Sequence, residues 1–251
     1  MKIAVTTIAW GKSKSISTFM NVINSIKKFN YDGAGIETRL LPKELLKDPA
    51  KLKSILSEVG LENAGAYSRM DISDIRWAIE SATPVLWIVP RFKDCNEALS
   101  RLRDFADEAI SNNVIPALHN HLRTCFETED QVINALNKVD SLSICLDTAH
   151  ATAANFNIIK FIENYHDRIA LVHIKDLRAL LPKSKVRFRR DFVNVGKGII
   201  NFEKIIRALY ESDYKGYLML EIEALSSDPF NEVMQGYIII KAYLDKVTRG
   251  V

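Results

Sequence analysis

Short apolar runs alternate along this chain with longer segments in which apolar residues recur every three or four positions. The short runs cover residues 2–7, 34–38, 62–66, 84–90, 114–119, 143–147, 169–174 and 216–221. Each has the length and apolar content of a strand buried in a parallel sheet. The segments between them read as amphipathic helices. Residues 17–29 place Phe19, Val22, Ile23 and Ile26 on one helical face, the i, i+3, i+4, i+7 spacing that buries one side of a helix. Residues 42–59, 96–112, 129–139, 155–165, 201–211 and 229–247 read in the same way.

Strands alternating with helices imply parallel strands joined by crossover helices. Eight such units in 251 residues predict one α/β domain spanning 1–251, a single (β/α)₈ TIM barrel. The alternative is an open doubly wound sheet, which usually carries a glycine-rich loop after its first strand. Here that position reads Thr6-Thr7-Ile8-Ala9-Trp10-Gly11. No linker divides the chain. One connection stands out, between the strand ending near Lys175 and the helix starting near Asn201. It contains Lys183, Lys185, Arg187, Arg189 and Arg190, then Val195-Gly196-Lys197-Gly198, and a loop of roughly 25 residues in a compact domain is more often functional than idle.

Composition narrows the class. Hydrophobic residues make up 47% and charged residues 26%, an ordinary globular balance. A net charge of +3, from 34 basic and 31 acidic residues, is too small to predict nucleic-acid binding. No apolar run approaches the ~18 residues of a spanning helix, and the N-terminus lacks a signal-peptide pattern. A soluble, cytoplasmic protein with no membrane partner is expected. Cys95, Cys125 and Cys145 are far apart, odd in number and without CxxC spacing. They predict no disulfide framework and a reducing cytosol, and read as small apolar fillers, Cys125 and Cys145 lying near strand ends.

In such barrels function sits at the C-terminal ends of the strands, and there the polar residues gather. Strand five ends His119-Asn120-His121, strand six Asp147-Thr148-Ala149-His150, strand seven His173-Ile174-Lys175-Asp176, strand eight Glu221-Ile222-Glu223 and strand two Glu37-Thr38-Arg39. Of the five histidines only His166 lies elsewhere. Imidazole nitrogen and carboxylate oxygen together suit manganese, zinc, cobalt or iron, so His119, Asp147, His173 and Glu221 are the expected ligands of one divalent ion. Arg39 and Arg91 read as surface or rim residues.

The motifs resemble those of the sugar phosphate isomerase/epimerase superfamily, the xylose isomerase-like barrels related to endonuclease IV. The matching pieces are Tyr31-Asp32-Gly33-Ala34-Gly35-Ile36-Glu37, His119-Asn120-His121, Leu146-Asp147-Thr148-Ala149-His150-Ala151, His173-Ile174-Lys175-Asp176, Val195-Gly196-Lys197-Gly198 and Tyr214-Lys215-Gly216-Tyr217-Leu218-Met219-Leu220-Glu221. The resemblance implies metal binding by Asp147, His173 and Glu221, with Glu221 also an acid or base. It places His150 beside the substrate, and Arg190, less closely Arg189, near substrate oxygens. Lys175 and Glu37 are further substrate-contact candidates. The implied cofactor is one divalent ion (manganese, zinc, cobalt or magnesium). The implied partner is a small carbohydrate, and related barrels often form dimers or tetramers, which makes a homo-oligomer a compatible state.

One departure matters. Epimerases of this type carry glutamate at the end of strand five, where this chain has His119. Neutral histidine can replace it as a ligand and can exchange protons near pH 7; Glu127 is a candidate for the missing carboxylate. The implied chemistry is proton abstraction next to a carbonyl through a metal-stabilised enediolate, by Glu221 with His119 or His150. That gives a sugar or sugar phosphate isomerase or epimerase. Loss of a β-hydroxyl would instead make it a polyol or keto-sugar dehydratase, and loss of catalysis a silent ligand-binding barrel. A DNA-repair endonuclease would need histidine after strand three and a DxH pair in the long loop; the chain reads Ala66-Tyr67-Ser68-Arg69 and Asp191-Phe192-Val193 there.

Overall fold

A computed structural model describes residues 1–223 and 228–249. Eight parallel strands close into a barrel: β1 (Lys2–Thr6), β2 (Gly33–Ile36), β3 (Glu62–Ser68), β4 (Val85–Ile88), β5 (Ile115–His119), β6 (Ser143–Asp147), β7 (Ile169–Ile174) and, after a two-stranded ribbon, β10 (Tyr217–Leu220). Closure is made by β1 against β10, with Lys2 opposite Tyr217 and Val5 opposite Leu220. The single TIM barrel expected from the apolar pattern is therefore present. The helices between the strands are α1 (Ile16–Lys28), α2 (Lys43–Lys47), α3 (Pro49–Val59), α4 (Ile72–Glu80), α5 (Cys95–Ser111), α6 (Glu129–Lys138), α7 (Thr148–Ala153) and α8 (Ile158–Tyr165), then the single turn α9 (Phe188–Asp191) in the connection after β7, and α10 (Phe202–Glu211) and α11 (Pro229–Arg249).

Two helical segments differ from the periodicity reading. Residues 42–59 form two helices, because Asp48 interrupts the first and caps the second by accepting from Lys51 N, with Pro49 at the first helical position, where proline is tolerated. Helix α4, between β3 and β4, was not expected. Its signal is short but present: Asp71 caps it in a reciprocal box with Asp74, and Ile75 and Ala78 are its buried face.

Inward-facing residues form a separate core inside the barrel, including Ala4, Ala64, Tyr67, Val85, Trp87, Ala117, Cys145, Leu171 and Met219. Met219 fills space that β2 leaves open. A Cβ on Gly35 would lie 2.4 Å from the Met219 sulfur, so any side chain there would displace Met219 from its place in the barrel. Because side chains alternate faces along a strand, the residue two positions beyond an inward one also points inward. Thus Ala117 leads to His119, Cys145 to Asp147, Leu171 to His173 and Met219 to Glu221. The apolar floor of the barrel and the polar layer above it belong to the same alternation.

The expectation for the cysteines needs correction. Cys95 and Cys125 form a disulfide, with Cα atoms 5.3 Å apart, and only Cys145 is free and buried. Their separation of 30 residues spans helix α5 and strand β5. One helix out and one strand back return the chain to the same end of the barrel, which brings together residues that look remote in the sequence. Among the described residues, no helix is long and apolar enough to cross a membrane.

The long connection after β7 is ordered by one carboxylate. Asp176 in β8 (Asp176–Leu177) accepts the backbone N–H groups of Leu177, Gly196, Gly198 and Ile200. Strand β8 pairs antiparallel with β9 (Phe192–Val193). A Cβ on Gly198 would lie 2.3 Å from the Leu177 carbonyl oxygen, so backbone passes where a side chain would sit. The aspartate of the His-Ile-Lys-Asp motif is thus a loop anchor. Replacing Asp176 by Ala strands several buried N–H groups, and we expect a loss of about 2–4 kcal/mol. Urea unfolding measures it; an unchanged midpoint would show that the loop is held otherwise.

Candidate metal centre

Four buried side chains converge at the mouth of the barrel. Donor atoms of His119, Asp147, His173 and Glu221 all lie within 4.8 Å of one another. Strand pairing sets this up. Asp147 stands opposite His173 in the β6–β7 register, and Glu221 N donates to Ile174 O at 3.1 Å just beyond the end of β10. The strand ends are also tied by side chains. Asn120 accepts from Asp147 N at 2.7 Å and donates to Asp147 O at 3.1 Å. Thr148 donates to Lys175 O at 2.6 Å and accepts from Lys175 N at 3.0 Å. These two residues fix the spacing of β5, β6 and β7, and sequence reasoning gave them no role. Their signal was position alone: each directly follows a ligand candidate.

Three of these four residues, His119, Asp147 and His173, carry unmet polar atoms. His119 Nδ1, Asp147 Oδ2 and both nitrogens of His173 are buried without a hydrogen-bond partner. Asp147 Oδ2 lies 3.0 Å from Lys175 Nζ and 3.5 Å from His119 Nε2, and His173 Nδ1 lies 2.7 Å from Glu221 Oε2, distances that lack hydrogen-bond alignment. Leaving several such atoms unpaired is costly. Two imidazoles and two carboxylates facing one point form a donor set that fits a divalent transition ion.

Lys175 lies in the midst of this cluster. It is buried, and its ammonium reaches Glu221 Oε1 at 2.5 Å and Glu223 Oε1 at 3.0 Å. Burial would lower its pKa, but Asp147, Glu221 and Glu223 outweigh that and hold it well above the usual lysine value. In return, burial would raise the acids, yet Lys175 first, with neighbouring histidines, keeps Asp147 and Glu221 well below the carboxylate range. Both are ionised, as ligands must be. Glu223 is different, its pKa raised by burial against the pull of Lys175.

The histidines divide by environment. Burial lowers His119, His121 and His150, the second to about 3. For His173 burial acts the same way, but Cys145 and Glu221 prevail and raise it. Two tautomers follow from backbone partners. His121 Nδ1 lies 2.6 Å from Leu122 O; the carbonyl only accepts, so Nδ1 carries the proton and Nε2 is bare. His150 Nδ1 accepts from Leu122 N at 3.0 Å, so its proton is on Nε2, buried and without a partner. His121, His150 and Glu223 also lie within 4.8 Å of one another, but an N–H at His150 Nε2 is a donor and cannot ligate an ion.

The remaining candidates are distributed unevenly. Glu37 is buried and held by Arg39 through two 2.7 Å bonds, while the Arg39 guanidinium stacks on Tyr67. Both line a cavity of about 370 Å³ with Trp87, Arg91, His119, His121, Phe188, Arg189, Glu221 and Glu223. Lys175 touches the metal-ligand candidates rather than the cavity wall. Arg190 is drawn away, pairing with Asp191 and lining a separate pocket with Arg123, Lys185 and Arg187; its neighbour Arg189 lines the main cavity. Glu127 binds Lys183 and Arg123 N and supplies no carboxylate to the cluster. The long connection does cover the site: Phe188 stacks on Phe192 and packs edge-on against His121 and His150.

The sequence profile described as xylose isomerase-like TIM barrel matches residues 79–240. The chain belongs to this family. An inosose dehydratase of Clostridium beijerinckii is 31% identical over 136 residues, covering 49% of this chain and 46% of that protein. The chain thus spans about half the length of the curated relatives it matches. Among solved structures, a D-allulose 3-epimerase from Methylomonas sp. superposes with a TM-score of 0.76 at 16% identity, covering 97% of this chain and 98% of that one. The IOLI protein with a binding zinc atom superposes with the same score at 18% identity, covering 100% and 99%. At these identities the likeness is one of fold.

Two outcomes are expected for this family member. Asp147→Ala removes one carboxylate of the cluster and the alignment of its neighbours, and should weaken Mn²⁺ or Zn²⁺ binding by about 100-fold or more, read by calorimetry and metal analysis; wild-type affinity would exclude Asp147 as a ligand. The second concerns acid stability. His121 stays neutral in the folded protein down to about pH 3 but titrates near 6.5 when unfolded. Between those values the unfolded chain binds more protons, so stability is present above 6.5 and falls as pH drops toward 3. Its share is about 2 kcal/mol at pH 5. His121→Gln should flatten the stability–pH profile by that amount, and a superimposable profile would count against it.

Proposed function

We propose that this protein is a divalent-metal-dependent enzyme that acts on a sugar, or a sugar-like polyol ketone, by removing a proton from the carbon next to a carbonyl. One observation carries the reading: two imidazoles and two ionised carboxylates converge with unmet buried atoms under a cavity of about 370 Å³, a size suited to one small ring or open-chain sugar. His119, Asp147, His173 and Glu221 would hold the ion. An ion held by these residues would supply Lewis acidity to the substrate's carbonyl and adjacent hydroxyl.

The chain's own groups then have distinct tasks. Glu221 is the carboxylate positioned to take the carbon-bound proton, kept ionised by Lys175 and His173. The Lys175 ammonium, 2.5 Å from Glu221, lies behind the cavity wall and holds that carboxylate in its ionised form. His150 carries its proton on Nε2 and is therefore not the base. Phe188 and Phe192 over the histidines exclude water from this side.

Return of the proton to the same or the neighbouring carbon makes the reaction an epimerisation or isomerisation; departure of a β-hydroxyl makes it a dehydration. Epimerisation requires an acid or base on each face of the substrate. Where a second carboxylate would stand, this chain has His119, buried and held neutral by desolvation. Dehydration needs one base beside the carbonyl, a task that Glu221 in the cavity wall can fill. The similarity to inosose dehydratases supports the same outcome, and we favour it over isomerisation.

The Mn²⁺-loaded protein should therefore incorporate deuterium from D₂O beside the carbonyl of a keto-substrate drawn from inososes, ketohexoses and their phosphates, followed by NMR. A dehydratase also releases an unsaturated or diketone product. Glu221→Gln should slow exchange by about 100-fold or more, with metal content measured in parallel. No exchange by the loaded protein across the panel would sink the proton-abstraction reading.

A further inference from the structure

The cavity wall carries more positive charge than the site beneath it uses. Asp147 and Glu221 face the proposed ion and Glu223 lies beside them, and one ammonium, Lys175, forms an ion pair with each of the three carboxylates. A divalent ion neutralises the remainder. Glu37 and Arg39 cancel each other as a bidentate pair. Two lining cations are then left, Arg91 and Arg189. Neither makes an ion pair or a side-chain hydrogen bond among the described residues, in contrast to their neighbours: Arg39 is bound to Glu37, Arg190 to Asp191, Lys183 to Glu127 and Arg123 to the carbonyl of Val186.

Both arginines are exposed at the rim, and both line the cavity. Arg91 continues the inward alternation of β4: Trp87, Val89 and Arg91 all line the cavity. Its charge is felt at the floor, where it contributes to lowering His121. Arg189 follows Phe188, which lies against His121 and His150, so the segment that covers the site also delivers a guanidinium to its mouth. An arginine left without a carboxylate at a site already neutral in charge is a ready partner for an anionic ligand, which it binds through two parallel hydrogen bonds.

We propose that the substrate carries an anionic group, a carboxylate or a phosphate on a compact polyhydroxy ketone, held by Arg91 and Arg189 while its carbonyl end lies over the His119–Asp147–His173–Glu221 cluster. This rests on the metal-dependent reading above and specifies its substrate class. Neutral sugars lack the group that these two arginines are free to bind.

The test is calorimetric titration of the Mn²⁺-loaded full chain, at low salt, with three probes of similar ring size: quinate (carboxylate), myo-inositol 1-phosphate and myo-inositol (neutral). At least one anionic probe should bind about tenfold or more tightly than myo-inositol, and the advantage should weaken with added salt. It should shrink to within about threefold in the Arg91→Gln/Arg189→Gln double variant, whose metal content should stay that of the wild type because neither residue is a ligand. Preference for quinate identifies a carboxylate site, preference for the phosphate a phosphate site. Equal binding of all three overturns the charge inference and leaves the metal-dependent reading intact. An advantage that survives in the double variant overturns the assignment to these arginines. Failure of every probe to bind the loaded protein, including the neutral one, overturns both.

Discussion

A single ammonium group determines what the mouth of this barrel can be. Three carboxylates placed within a few ångströms of one another and withdrawn from water would not all stay ionised, since burial and mutual repulsion both favour protonation. Lys175, buried and in contact with Asp147, Glu221 and Glu223, reverses that for the first two. Its own desolvation is costly, and buried ion clusters seldom add net stability to a fold. What the cluster provides is a preformed set of ionised oxygens. The Phe192 ring, 5.2 Å from the ammonium, shields it from solvent and favours the cation through its π face.

The barrel supplies the rest through geometry. Parallel strands in register place each inward residue one layer above the last, so a change from apolar to polar at the final inward position sets a layer of polar side chains on a packed floor. That change occurs in neighbouring strands β5, β6, β7 and β10, at His119, Asp147, His173 and Glu221. Asn120 and Thr148 then lock the strand ends through backbone bonds. Positioning here depends on the sheet and its side-chain ties more than on the loops.

Much of this was legible in the residues themselves. The strand–helix alternation carried the fold, and the polar strand ends carried the cluster, because both follow from periodicities that sequence displays directly. What escaped was contingent on contacts between distant segments. Helix α4 is too short for its apolar spacing to stand out. Arg189 and Arg190 are adjacent in sequence, and only the pull of Asp191 on the second decides which one faces the cavity. Asp176 read as part of a site motif and instead gathers four backbone N–H groups of a loop. The tautomers of His121 and His150 hinge on the two sides of one residue, Leu122, whose carbonyl and amide face different rings.

The bond between Cys95 and Cys125 gives the barrel a property that hydrogen-bonded strands cannot. Helix α5 and strand β5 together become a closed covalent ring within the chain. A peptide bond cut anywhere in that ring opens it without dividing the molecule: the portion bearing β1 to β4 stays linked to the portion bearing β6 to β10. Strands β1 to β4, half of the barrel's staves, are on one side of such a nick, and β6, β7 and β10, which lead to Asp147, His173 and Glu221, are on the other. The two halves therefore remain at high local concentration, and the cylinder can stay closed after its backbone is broken.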